Sequence, residues 1–202
     1  MSEDIGFWKL NAPAADNHPS WVYMDGVFND KECDDIISMG RALEMKPGTV
    51  YDDGSIVDFP SKIQRDALVS WFSPNEETMW MYKRLSIVIN QLNNDYYKFD
   101  LDGFAEGIQF TEYHSPSGTH GAHMDKAPNG VVRKLTMIIQ LTDPDEYEGC
   151  DLEIIQSDGN TKLPRKRGTL VAFPSWEWHQ VNPITSGTRN SLVAWITGSP
   201  FR

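Results

Sequence analysis

From residue 103 to the end, the chain breaks into short β-prone runs separated by Gly, Pro, Asn and Asp, and this texture restricts the fold more than any other feature. The runs are residues 104–113, 121–126, 134–141, 151–156, 161–163, 169–173, 178–181 and 189–197, with turn signals such as Ser157-Asp158-Gly159-Asn160 between them. Eight short strands in about a hundred residues predict a double-stranded β-helix, or jelly roll. The fold class expected is therefore mostly β with supporting helices, the jelly-roll core filling residues 101–200 and a helical support preceding it.

The first hundred residues read differently. Residues 1–20 read as an irregular arm, and Trp21-Val22-Tyr23-Met24 as a short strand. Asn29 followed three residues later by Glu32 is a capping-box pattern, and Cys33, Ile36, Ile37 and Leu43 recur at helical spacing, predicting a helix over about 30–43. Residues 46–62, rich in Asp, Gly and Pro, predict a loop or hairpin that suits a lid over the substrate. Ser73-Pro74-Asn75-Glu76 combines a Ser cap with Pro in the first turn, and Leu85, Val88, Ile89, Leu92 and Tyr96 follow at spacings of three and four. This predicts a second helix over about 74–94, packed on a sheet. With 202 residues and 40% hydrophobic content, one domain over residues 1–202 is expected.

Other classes are narrowed by composition. Two cysteines, Cys33 and Cys150, supply neither a disulfide framework nor a cysteine-based zinc site. No apolar run approaches the roughly 20 residues that span a bilayer, and the acidic Met1-Ser2-Glu3-Asp4 start is unlike a signal peptide. Those features predict a cytoplasmic protein with no membrane partner. The formal net charge of −11 repels phosphate backbones, so no nucleic acid is expected as partner.

Within the β-rich half, His120-Gly121-Ala122-His123-Met124-Asp125 carries the chemistry. A His and a carboxylate two apart on a strand point to one face, so His123 and Asp125 can grip one ion. His179, in Trp176-Glu177-Trp178-His179-Gln180, supplies a second imidazole from a distant strand. Two His and one carboxylate with open positions opposite suit a non-haem Fe(II) oxygenase centre. Arg189 follows ten residues later.

At these residues the chain resembles the 2-oxoglutarate and Fe(II)-dependent oxygenases of the prolyl/lysyl hydroxylase type. The similarity spans about residues 20–200, and Leu141-Thr142-Asp143-Pro144-Asp145-Glu146-Tyr147-Glu148-Gly149 and Pro174-Ser175 are similar to bacterial and phage members. The resemblance implies that His123, Asp125 and His179 hold Fe(II), and that Arg189 pairs with the distal carboxylate of 2-oxoglutarate. A buried guanidinium stays charged and offers a planar fork that fits a carboxylate. Tyr113 and Trp195 match a cosubstrate-site tyrosine and an active-site tryptophan of the hypoxia-factor hydroxylases. Gln140 stands where those enzymes carry a cosubstrate-binding tyrosine, Cys150 replaces the second glycine of a Gly-Gly pair, and His120 replaces a tyrosine near the substrate. His18 and His114 match nothing and are expected to be surface or packing residues.

The function so implied is hydroxylation of a prolyl residue in a protein or peptide, with O2 consumed and 2-oxoglutarate decarboxylated to succinate. Ascorbate is a further cofactor of the family. Alternatives within the class are a lysyl residue or a small molecule such as free proline. Outside it stand a catalytically silent jelly-roll binding module and a zinc hydrolase, neither of which has a use for the whole set with Arg189. The acidic chain predicts a basic, proline-containing partner.

Overall fold

Two antiparallel sheets face each other in the computed structural model, which describes residues 18–48, 65–104, 106–125 and 131–199. In chain order the elements are β1 (Val22–Met24), α1 (Asp30–Ala42), β2 (Lys46–Pro47), β3 (Arg65–Asp66), β4 (Leu68–Phe72), α2 (Met79–Leu92), β5 (Gly103–Phe104), β6 (Ile108–His114) and β7 (Thr119–His123). They continue with β8 (Arg133–Gln140), β9 (Tyr147–Gly149), β10 (Leu152–Ile154), β11 (Thr161–Lys162), β12 (Leu170–Pro174), β13 (His179–Val181) and β14 (Ile184–Thr197). The larger sheet runs β1-β12-β8-β14-β6-β4-β2, with β5 and β9 also paired to β14, and the smaller one runs β11-β10-β13-β7-β3. This is the predicted jelly roll.

Strand alternation sorts the core into two layers. Phe110, Leu135, Met137, Ile139, Leu170, Leu192 and Ala194 leave one face of the larger sheet and pack with Ile36, Leu85 and Ile89 of the helices. Tyr113, Ile138, Val171 and Phe173 leave the other face and meet Leu152, Ile154 and Val181 of the smaller sheet. Polar residues of the same parity, Thr111, Thr136, Gln140, Arg189 and Ser191, are buried there too. A functional site therefore lies between the sheets.

Local signals fixed some ends and not others. α1 starts where predicted: the Asn29 side chain accepts from Glu32 N–H and the Glu32 side chain accepts from Asn29 N–H. α2 does not start at Pro74. The Asn75 side chain accepts from the N–H groups of Glu77 and Thr78, and the Thr78 hydroxyl donates to Ser73 O, so residues 73–78 close a turn and helix begins at Met79. It passes into a single π turn, Asn93–Tyr97, ended by Lys98 in the left-handed region.

The expected strand over 104–113 is two, β5 and β6, both paired with β14. Of the predicted lid, Lys46–Pro47 pairs with β4 as a short edge strand, and residues 49–62 lie outside the described residues. β4 and β9 join the sheet without having been predicted. At the end of β9, Gly149 has φ +71, and a Cβ there would lie 2.4 Å from Pro183 O. No helix among the described residues is long and apolar enough to cross a membrane.

Candidate metal centre

β7 and β13 pair antiparallel with His123 opposite His179, so the sheet ladder brings the two imidazoles together, their centroids 4.2 Å apart. Asp125 lies two residues beyond the end of β7, where its N–H donates to Ser175 O at 2.9 Å. Its carboxylate reaches back to the pair: Oδ1 is 3.6 Å from His123 Nε2 and Oδ2 is 3.5 Å from His179 Nε2. One donor atom from each of the three falls within 4.8 Å of the others.

The unused ring nitrogens fix the tautomers. His123 Nδ1 lies 2.7 Å from Gly121 O and His179 Nδ1 lies 2.9 Å from Glu177 O. A carbonyl only accepts, so each Nδ1 carries the hydrogen and each Nε2 lone pair faces the cluster. Thr136 on β8 donates its hydroxyl to Asp125 Oδ2 at 2.7 Å and touches Ser175 Oγ at 3.0 Å, which holds the carboxylate in place. Burial keeps His179 below its ordinary value, which favours the neutral imidazole that a metal ion needs. Burial opposes the charge on Asp125 as well, but in the metal-free cluster any proton held by His179 or His123, together with the Thr136 hydroxyl, favours it and holds its pKa well below the usual carboxylate range. Two neutral nitrogens and one carboxylate form a donor set that fits Fe(II).

Arg189 occupies the same inter-sheet layer and is 2% exposed. Its Nε and Nη2 donate to Gln140 Oε1 at 3.1 and 2.8 Å, and Gln140 Nε2 donates to Pro164 O at 3.1 Å. Tyr113 lies opposite Arg189 on β6, with its ring centre 5.5 Å from the guanidinium carbon. Burial raises the Tyr113 phenol pKa, while the residue remains within electrostatic reach of both Arg189 and Asp125.

Residues 108–197 match the family model described as the 2OG-Fe(II) oxygenase superfamily. His123, Asp125, His179 and Arg189 all fall inside that match. This stretch is a 2OG-Fe(II) oxygenase domain. A PKHD-type hydroxylase of Picosynechococcus sp. is 35% identical over 44% of this chain and 41% of its own length. Another, of Prochlorococcus marinus, is 37% identical over 48% and 44%. The chain thus spans less than half the length of these curated relatives. Among solved structures, a Pseudomonas putida prolyl-4-hydroxylase superposes with TM-score 0.69 at 18% identity, covering 91% of this chain and 94% of that one. A Trichoplax adhaerens prolyl hydroxylase, solved with a hypoxia inducible factor peptide fragment, gives 0.71 at 14% identity, covering 89% and 84%. At such identities the superpositions establish the fold.

Around the iron-ligand set of the oxygenase domain, His120 stacks on His123 with centroids 3.7 Å apart. The two lie three residues apart on β7, and the register shift between His179 and Val181 reconciles that spacing with one face. Burial first, then the neighbouring His123 and Arg65, push the His120 pKa down to about 2. Trp195 lies under the Arg133 guanidinium at 4.0 Å and beside Trp71 at 6.0 Å, and its buried Nε1 has no hydrogen-bond partner among the described residues. His114 is half exposed and pairs with Glu112 at 2.7 Å, and His18 packs against Tyr97, Phe99 and Trp176, so both stand apart from the centre. Thr136 and Ser175 were missed from the sequence. The one available signal was parity, since Thr136 is a hydroxyl at an inward position of the otherwise apolar Leu135-Thr136-Met137-Ile138-Ile139 run.

Proposed function

We propose that this protein is an Fe(II)- and 2-oxoglutarate-dependent hydroxylase of a prolyl residue in a protein or peptide, forming succinate from the cosubstrate. The observation that carries the reading is the clustering of His123, Asp125 and His179 in the same inter-sheet layer as a fully buried Arg189. Iron held by these residues would supply the centre for oxygen activation, the electrons coming from decarboxylation of 2-oxoglutarate and from the substrate C–H bond. The chain's own residues do the rest.

His123 and His179 present Nε2 lone pairs, and Asp125, held by Thr136, presents a carboxylate. Arg189 is a buried cation that donates to the neutral Gln140 amide, and it is complementary to the far carboxylate of 2-oxoglutarate. Met124 and Trp178, each next to a ligand in sequence, are 40% and 49% exposed. A prolyl residue already fixes φ and lacks an N–H, so little is lost when it binds in an extended chain. The prolyl-4-hydroxylase and peptide-bound prolyl hydroxylase superpositions support the substrate class, and the net charge of −11 supports a basic flank on the substrate.

Succinate formation with proline-containing peptides, together with mass spectrometry for a gain of one oxygen, tests the reading. Extracts treated with active protein and with His123→Ala should differ at prolyl residues. The reading fails if 2-oxoglutarate is not consumed with any peptide, and the peptide assignment fails if free proline outperforms all of them. Alanine at His123, Asp125 or His179 should each abolish turnover and weaken Fe(II) binding. Full Fe(II) affinity in all three variants would remove the metal assignment.

A further inference from the structure

We infer that the Tyr147 hydroxyl is a second donor to the distal carboxylate of 2-oxoglutarate, beside Arg189. The inference rests on the proposed function and adds a residue to that site. Gln140 does not fill the role in the geometry seen. Its Oε1 is an acceptor already holding two Arg189 N–H groups, and its Nε2 donates to Pro164 O. An amide turned this way orients the guanidinium and offers no free donor to a carboxylate.

Tyr147 lies opposite Gly187 on the β9–β14 ladder, and Arg189 is two residues further along β14. Residues two apart on a strand share a face, so Tyr147 and Arg189 are diagonal cross-strand neighbours, a separation that long side chains span. Gly187 itself has no side chain to fill the space. Tyr147 is 4% exposed, packs in the core between the sheets with Tyr113 and Cys150, and lies within electrostatic reach of Arg189. The Arg165 guanidinium covers its ring at 4.3 Å.

Within this packed environment the Tyr147 hydroxyl is buried and has no hydrogen-bond partner among the described residues. Buried hydroxyls are normally paired, because leaving one unpaired forfeits its bond to water. A carboxylate drawn in by Arg189 supplies the missing acceptor. The phenol hydroxyl then adds a directed hydrogen bond to the charge pairing that Arg189 provides.

The test is Tyr147→Phe, which removes the hydroxyl and keeps the ring. Calorimetric titration of Mn(II)-loaded protein without oxygen compares 2-oxoglutarate with 2-oxopentanoate, which lacks the distal carboxylate. The variant should bind 2-oxoglutarate about ten- to a hundredfold more weakly, bind 2-oxopentanoate as wild type does, and melt no lower than wild type when metal-free. A change of less than about threefold for 2-oxoglutarate overturns the inference. Equal weakening toward both acids, or a lowered metal-free melting point, also overturns it by showing that the hydroxyl supports the fold. If the wild-type protein binds neither acid, the proposed function itself falls and takes this assignment with it.

Discussion

Arg189 shows why side-chain shape matters in this site as much as charge. Lysine there keeps a cation but loses the planar fork and the paired donation to Gln140, so Arg189→Lys should raise the 2-oxoglutarate KM about ten- to a hundredfold. An unchanged KM in succinate-release assays would show that another group holds the carboxylate. The histidines set the acid limit of the metal-free protein. His120 and His179 are held below their ordinary value of 6.5 in the fold, so the unfolded chain takes up protons first as pH falls past that value. Their contribution to stability is complete above about pH 6.5 and is lost below it, by up to roughly 1.4 kcal/mol per pH unit for each group. Asp125, Glu112 and Asp151, all with lowered pKa, add to the loss as pH falls below the ordinary carboxylate range. Urea titrations of metal-free protein should show this decline beginning near pH 6.5, and a flat profile from pH 7 to 5 would contradict it.

Among the elements, the β9 end and the β7–β13 pair carry the most constraint. Gly149 combines φ +71 with a backbone carbonyl where a Cβ would stand, and Cys150 follows with φ +54. Gly149→Ala should therefore destabilise by at least about 1–2 kcal/mol, measured as a lowered denaturation midpoint with an unchanged slope. A neutral result would mean that β9 can shift away from Pro183. Cys150, a residue with a Cβ in this left-handed position, turns its thiol toward the Arg189 guanidinium, a contact that glycine would lack. The β7–β13 bulge works at the same scale. It sets His120 on the His123 ring and leaves His123 facing His179, a placement that no regular period-two strand would give.

At the scale of the whole molecule, the proposed function makes net charge a factor in encounter with substrate. With a net charge of −11, proline peptides flanked by Lys should be turned over faster than the same peptides flanked by Glu, and the gap should close with added salt. Equal rates at low salt would show that the acidity serves solubility alone. The sequence by itself determined most of the strands from 103 onward, β9 excepted, the capped start of α1, and His123, Asp125 and His179 as a candidate ligand set. Each of these rests on spacing within a few residues or on side-chain chemistry. Only the tertiary structure decided where the segments meet. Asp125 lies beyond its strand and is positioned by Thr136 and Ser175, and Gln140 is turned to accept from Arg189. Tyr147 reaches the Arg189 pocket through a ladder between β9 and β14. The helix signal at Ser73-Pro74 gave way to a turn built by Asn75 and Thr78. The physical reason is common to all of them: cross-strand register and competition between side-chain and backbone hydrogen bonds depend on partners that local periodicity does not contain.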